Sequence, residues 1–362
     1  MADSTMKQVM ITKAGDVGVL QVRQRSTFSV GPGEVSIQVK ASGINFADIM
    51  ARQGLYPDAP KLPCVVGYEV AGSVEAVGAG VTRVEAGQRV MALTRFGGYS
   101  EQVSVPEIQV IPLPEAISFE EAATLPVAFC TAFQLVQMGG LRQGESILIH
   151  NVGGSVGLAL LDIARHIGAV TYGTASSGKH DLLKARGLDH AIDYRKDDWT
   201  AVLNDLTAGK GVDLITDPLG GNESRKCYKA LRATGRLGMF GMSTAPDASV
   251  GGKLRLLTTA IKLPFFHPVS LMKNNRGVFG VNMGHMWHEP EKVLENLQAT
   301  LKGYAEGWVR VALDKSFSFE EAGSAHAYIE ARKNFGKVVP VSYTHLRAHE
   351  TRYVISYAVF CL

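Results

Sequence analysis

The 362 residues are 20% charged and 46% hydrophobic, a globular composition of a length suited to about two domains. A formal net charge of +3 with no Lys/Arg block excludes a partner recognised by bulk positive charge, so neither nucleic acid nor an anionic membrane surface is expected. Four scattered cysteines, Cys64, Cys130, Cys227 and Cys361, form no CxxC pair and give no disulfide framework, which suits a reducing compartment.

In chain order, residues 1–13 hold Asp3, Lys7 and Lys13 and no long apolar run, so no signal peptide is read there. No stretch approaches the roughly 20 consecutive apolar residues of a membrane-spanning helix, so no integral membrane segment and a cytoplasmic location are expected. Residues 1–125 read as short strands broken by Gly and Pro: 36–40 alternates polar and apolar as a half-buried strand does, and 65–78 and 87–92 continue the texture. This predicts a small β-rich domain. Residues 119–138 read as helix interrupted at Pro126. A βαβ rhythm follows, with strands at 145–150, 169–174, 191–194, 212–216 and 235–241. A helix over 156–167 carries apolar residues at helical spacing and stops at Gly168. Strands alternating with helices imply a doubly wound parallel sheet, so the fold class is α/β. The expected division is 1–125 for the β-rich domain, 126–270 for the dinucleotide-type domain and 271–341 for a return to the first. A helix starts near Ser318 and a last strand covers 337–341. Residues 342–362 break the pattern and read as a foreign tail.

The strongest local signal is His150-Asn151-Val152-Gly153-Gly154-Ser155-Val156-Gly157, which follows a strand and opens a helix. Glycines there let backbone N–H groups approach a pyrophosphate, and the helix N-terminus adds partial positive charge. Gly154 and Gly157 occupy the second and third glycine positions of G-x-G-x-x-G, with Val152 at the first. Beyond the next strand, an acid would hold the ribose hydroxyls of NADH. Residues 171–180 contain none; they offer Thr174, Ser176, Ser177 and Lys179, whose small hydroxyls and cation favour the 2′-phosphate of NADPH.

With these residues the chain resembles the medium-chain dehydrogenase/reductase superfamily, and within it the zinc-free NADPH:quinone oxidoreductases, zeta-crystallin-like and vesicle-protein-homologue members included. The resemblance covers roughly residues 6–341. Gly43-Ile44-Asn45-Phe46-Ala47-Asp48, Gly54-Leu55-Tyr56-Pro57, Gly67-Tyr68-Glu69-Val70-Ala71-Gly72, Ala122-Ala123-Thr124-Leu125-Pro126, Thr131-Ala132, the glycine loop and Ile192-Asp193-Tyr194-Arg195 carry it together. It implies a GroES-like substrate domain built from both chain ends, a central Rossmann domain, and NADPH in the cleft between them. It places Asn45 near the nicotinamide or substrate, Thr131 and the loop (Gly153, Gly154, Ser155, Val156, Gly157) at the phosphates, and Lys179 and Tyr194 at the adenosine phosphate. It runs Phe240, Gly241 and Ser243 along the nicotinamide. Pro218 departs from the small residue usual at its strand end. The implied assembly is a homodimer through the Rossmann edge strands.

Zinc-dependent relatives place Cys at the Asn45 position and His at the Tyr68 position, so no metal is expected. Without a Lewis acid, the easier reaction is hydride delivery to an electron-poor acceptor such as a quinone or α,β-unsaturated carbonyl. Tyr56 is the candidate proton donor, by likeness to zinc-free enoyl reductases, and Asn45 a candidate to orient the substrate oxygen. Two alternatives stay open: an NADPH-binding regulatory or structural protein with little turnover, and an enoyl-thioester reductase.

Overall fold

The computed structural model describes residues 5–243 and 264–343. Its central sheet has six parallel strands in the order His190–Asp193, Val170–Ala175, Ser146–Ile149, Val212–Asp217, Leu231–Met239, Gly277–Gly280. Numbered by appearance, that order is 3-2-1-4-5-6, the doubly wound dinucleotide arrangement, whose crevice opens where the order reverses. The reversal lies between Ser146–Ile149 and Val212–Asp217, so the loop after Ile149 sits at the crevice. The first strand is short and wholly apolar at its end because both faces are covered: Ile147, Leu148 and Ile149 are fully buried.

The β-rich domain is a seven-stranded sheet. Leu313–Ser318, Lys337–Val341, Glu34–Ser42, Glu69–Val77, Arg89–Leu93 and Val110–Pro112 follow one another, and Gln102–Pro106 also pairs with Glu34–Ser42. Thr5–Ile11 and Leu20–Ser26 form a separate antiparallel ribbon. Val9 N–H donates to Tyr99 O and Ile11 N–H to Cys64 O, which stitches the ribbon to the main body. Both chain ends therefore build this domain, and the parallel sheet is inserted between them.

The strand around 36–40 alternates as expected, with Ile37 and Val39 buried, Gln38 exposed and Lys40 half-buried; Ser36 is buried as well, because Glu75 accepts from its hydroxyl and Gln102 donates to it. Two sequence expectations are corrected. The return to the β-rich domain does not begin at 271: Gly277–Gly280 pairs with Leu231–Met239 as the edge of the parallel sheet, and the chain rejoins the other domain at Leu313–Ser318. The tail does not begin cleanly at 342: Ser342 donates to Val39 O and Lys40 O, and the Tyr343 hydroxyl bonds Glu120. The rest of 342–362 lies outside the described residues.

The other boundaries follow local chemistry. Ser118 and Glu121 form a capping box that starts Phe119–Ala122, and Pro126 sits in the first turn of Pro126–Gly139, where its missing N–H costs nothing. Taken together, 119–139 is the one stretch among the described residues long and apolar enough to cross a membrane, and most of it is buried inside the fold. Its residues Ala128, Phe129, Cys130, Ala132 and Leu135 join a core that runs from Ala41, Ala71 and Met91 of the β-rich sheet to Leu158, Leu161 and Ile163 of the helix after the glycine loop. One continuous apolar body thus fixes both walls of the cleft between the domains.

Candidate functional site

A cleft of about 1660 Å³ runs between the domains. At its centre the glycine loop turns into the helix Ser155–Ile167. No side chain caps that helix, so its first backbone N–H groups point, unpartnered by any cap, where Ser155, Val156 and Gly157 line the cleft. A pyrophosphate fits this cradle, whose shape depends on both glycines, because a side chain at either would strike the loop itself. A Cβ on Gly157 would lie 2.5 Å from Asn151 O and 2.6 Å from Val152 Cα; one on Gly154 would lie 2.8 Å from Asn151 Nδ2. Val152 stands at the first glycine position because its side chain turns away, into the core, where the missing side chain of Gly173 leaves it room. His150 holds the loop from below: its Nδ1 meets Thr174 Oγ1 at 3.0 Å, its Nε2 meets Cys227 Sγ at 3.3 Å, and burial lowers its pKa to about 4.

One end of the cleft is cationic. Lys179 Nζ donates to Asn334 O at 2.5 Å and Arg332 O at 3.2 Å, so two of its three donors tie the C-terminal return to the loop side. Burial lowers its pKa. Gly336 N–H donates to Gly153 O at 2.9 Å beside this tie. Arg332 Nη1 reaches the Tyr194 hydroxyl at 3.4 Å, and Arg195 lies over the Tyr194 ring. Burial opposes ionisation of Tyr194, yet these two guanidiniums pull its pKa below the usual phenol value. Two of the nearby acids are engaged elsewhere: Glu223 pairs with Lys226 and accepts from Trp199 Nε1, and Asp198 caps the helix Trp199–Leu206. The exposed guanidinium of Arg332 thus joins Lys179 at this end of the cleft, where the sequence offered Lys179 as the cation.

Behind the lining of the opposite end, beneath Asn45, lies a buried ion pair. Glu69 is 0% and Lys337 1% exposed, and they form a salt bridge. Asn45 spans them: its Nδ2 donates to Glu69 Oε1 at 2.9 Å, and its Oδ1 accepts from Lys337 Nζ at 2.7 Å. Glu69 Oε2 accepts from Val127 N–H at 2.8 Å. The donor set does not suit a cation, since an ammonium already occupies the place beside the carboxylate and the amide. The Asn45 backbone is held as firmly, with its N–H donating to Asp48 Oδ2 at 2.7 Å while Asp48 Oδ1 accepts from Gly67 N–H. The Asn45 amide is thus turned to the floor, and its carbonyl oxygen is already taken.

Tyr56 and Tyr68 form the wall above this floor, their rings edge to face with centroids 6.2 Å apart. Burial raises the pKa of both phenols, so both stay protonated. Facing them, Asn282 and His285 reach across the mouth to Asp58 at 3.2 and 2.9 Å. On the third side, Phe240 N–H donates to Asp217 O and Ser243 N–H to Pro218 O, which straps 240–243 along the cleft; a Cβ on Gly241 would meet Pro218 O at 2.9 Å.

Of the residues singled out in the sequence, Asn45, Tyr56, Thr131, Gly154, Ser155, Val156, Gly157, Thr174, Lys179, Tyr194, Phe240, Gly241 and Ser243 come together on this cleft. Gly153 and Ser176 do not line it: Gly153 O is occupied by Gly336, and Ser176 opens the turn whose Lys179 N–H it accepts. The hydroxyls of Thr131 and Thr174 are also engaged, on Val127 O and on His150 with Asn151 N–H. Beyond the residues singled out in the sequence, Pro264 and Phe266 also line the cleft. The sequence reading missed Lys337, Arg332 and the roles of Tyr68 and Glu69. One signal was available for Lys337: a lysine opening the otherwise apolar strand Lys337–Val341, every residue of which is buried, marks a paired charge.

Comparisons with known proteins fit this geometry. A family model described as zinc-binding dehydrogenase matches residues 186–339, and one described as the alcohol dehydrogenase GroES-like domain matches residues 31–115. The synaptic vesicle membrane protein VAT-1 homolog of Rattus norvegicus is 39% identical over 327 residues, covering 89% of this chain and 80% of that protein. Among solved structures, a mycobacterial protein complexed with NADPH aligns with a TM-score of 0.82 at 28% identity, covering 92% of this chain and 99% of that one. A quinone oxidoreductase of Pseudomonas syringae aligns with a TM-score of 0.82 at 29% identity, covering 93% and 99%.

Proposed function

The chain belongs to the medium-chain dehydrogenase/reductase superfamily, in the zinc-free branch of quinone oxidoreductases and VAT-1 homologues, and from that premise we propose that it is an NADPH-dependent reductase of quinones or α,β-unsaturated carbonyls. The observation that carries this reading is one cleft joining an uncapped helix N-terminus and a cationic end to a floor already closed by Lys337. NADPH supplies the hydride when bound. The chain's own residues do the rest: the N–H groups at Ser155, Val156 and Gly157 hold the pyrophosphate, and Arg332, Lys179 and Tyr194 hold the 2′-phosphate. Phe240, Gly241 and Ser243 flank the nicotinamide, and the Glu69–Lys337–Asn45 cluster keeps the floor rigid and dry. Tyr56, protonated and beside the mouth, is placed to lend a hydrogen bond. Burial keeps its phenol protonated, so the proton that completes reduction can come from Tyr56 or from water. The same proposal includes a homodimer joined through the open edge at Gly277–Gly280, and a cytoplasmic location.

Two measurements test it. Purified protein mixed with 9,10-phenanthrenequinone is expected to consume NADPH rapidly and NADH poorly, followed by loss of reduced-cofactor absorbance. Tight NADPH binding without oxidation across quinones and enones would instead support the binding-protein alternative. Turnover confined to enoyl thioesters would support the enoyl-thioester reductase. Separately, Arg332→Ala is expected to weaken NADPH binding by roughly ten- to a hundredfold, the worth of one charge-assisted hydrogen bond. NADH affinity should be unchanged, as read by fluorescence titration. An equal loss for both cofactors would place Arg332 outside the 2′-phosphate site.

A further inference from the structure

The wall of the cleft contains a hydroxyl with no partner. Tyr68 is 7% exposed, and its phenolic oxygen is buried with no hydrogen bond. The Tyr56 hydroxyl lies beside it, outside good hydrogen-bond geometry yet close enough that Tyr68 leans toward it as a donor, which raises the pKa of Tyr68 and works to lower that of Tyr56. A buried O–H left unsatisfied costs about 1–3 kcal/mol, so a ligand atom that accepts from it gains correspondingly. The residue is also held still. Tyr68 O accepts from Thr94 N–H at 2.8 Å, Gly67 O from Thr94 Oγ1 at 2.7 Å, and Gly67 N–H donates to Asp48 at 3.0 Å. Its ring packs at 5.3 Å on Phe96 and 6.2 Å on Tyr56. Gly67, at φ 104°, has backbone of Gly98 and Tyr99 only 2.8 Å from where a Cβ would sit, so the strand entry that aims Tyr68 has little freedom. Meanwhile Asn45, another polar group on this end, has its amide oxygen occupied by Lys337 and its nitrogen turned to Glu69.

We propose that Tyr68 is a substrate-binding catalytic residue whose hydroxyl donates a hydrogen bond to the carbonyl oxygen of the acceptor. The proposal rests on the reductase reading for its catalytic consequence. As the hydride adds to the β-carbon of an enone, the π electrons of the C=C bond move toward the carbonyl, and negative charge builds on its oxygen. Tyr68 stabilises that charge, and a proton from water then completes the saturated ketone at the α-carbon. A fixed donor aimed at a developing oxyanion typically contributes 10²–10³ in rate. Tyr68→Phe keeps the ring, its packing and its volume, and removes only the unsatisfied oxygen. A merely structural residue gives a destabilised variant; here the ligand-free variant should be as stable as wild type or more so.

The test uses 2-cyclohexen-1-one with the full chain. In steady state with NADPH, Tyr68→Phe should lower kcat/KM about a hundredfold, while NADPH affinity by fluorescence titration stays unchanged. In the complex with NADP+, where no reduction occurs, infrared difference spectra should show the enone carbonyl band shifted down in wild type and restored toward its aqueous-free position in Tyr68→Phe. A wild-type carbonyl band without a shift, or one the substitution leaves in place, overturns the proposal. So does unchanged kcat/KM, or a loss of thermal stability with both readouts intact. If wild type reduces no enone or quinone yet shows the Tyr68-dependent band shift, the reductase reading fails and Tyr68 stands as the ligand's anchor.

Discussion

Lys337→Met is expected to lower the free energy of unfolding by about 3–5 kcal/mol, because it leaves the Glu69 carboxylate buried without its cation. The attraction itself is not the reason, since removing both charges together is expected to restore most of the loss. Glu69→Gln/Lys337→Met puts a neutral amide there, whose one oxygen still accepts from Val127 N–H and whose nitrogen can donate to the Asn45 Oδ1 that Lys337 releases, beside an apolar chain of similar length. Urea titrations of the single and double variants check this. A double variant no more stable than the single would mean that the pair is worth more than its desolvation. The single variant should also free the Asn45 amide, whose oxygen Lys337 now holds.

Gly157→Ala is expected to weaken NADPH binding a hundredfold or more and to lower stability by about 1–3 kcal/mol, the usual cost of overpacking. The added Cβ would lie within 2.6 Å of the backbone of both Asn151 and Val152, so the loop and the helix must part. Parting them splays the N–H groups that hold the pyrophosphate; losing two charge-assisted hydrogen bonds at about 1.5–3 kcal/mol each accounts for the affinity change. Gly178→Ala is the control: it lies on the same side of the domain, has open space where its Cβ would sit and an ordinary φ, and should leave both quantities unchanged. Fluorescence titration and urea denaturation measure the two effects. Full NADPH affinity in Gly157→Ala would mean that the cradle does not depend on this close approach.

What the sequence made legible was whatever local chemistry enforces. The glycine loop, the helix Ser155–Ile167 ending at left-handed Gly168, and the last strand Lys337–Val341 were all readable from a few neighbouring residues. Most wall residues were readable too, through the resemblance of their motifs to those of the family. What was not legible depends on residues far apart in sequence. Nothing near Gly277 says whether its strand joins the parallel sheet or the β-rich one; the pairing with Arg236 decides it. Nothing near Asn45 says that its amide is saturated, because the partners are Glu69 and Lys337. Arg332 follows the same logic, since only the tie from Lys179 to the C-terminal return brings it to Tyr194.

The split of the β-rich domain between the two chain ends also sets an order of assembly. During synthesis the strands from Glu34 to Pro112 emerge first, and then more than two hundred residues pass before Lys337–Val341 appears to lie against Glu34–Ser42. The parallel sheet can close on its own in that interval, while Glu69 must wait, solvated, for a counter-charge made more than two hundred residues later. A nascent chain therefore leaves the Ala41 end of Glu34–Ser42 without its outer partner for most of its elongation, although Gln102–Pro106 already covers Glu34 to Gln38, and that short open stretch is exposed to aggregation and to chaperone capture. The final closing step brings in Lys337, Asn334 and Arg332 together, so completing the fold and completing the cofactor cleft are the same event.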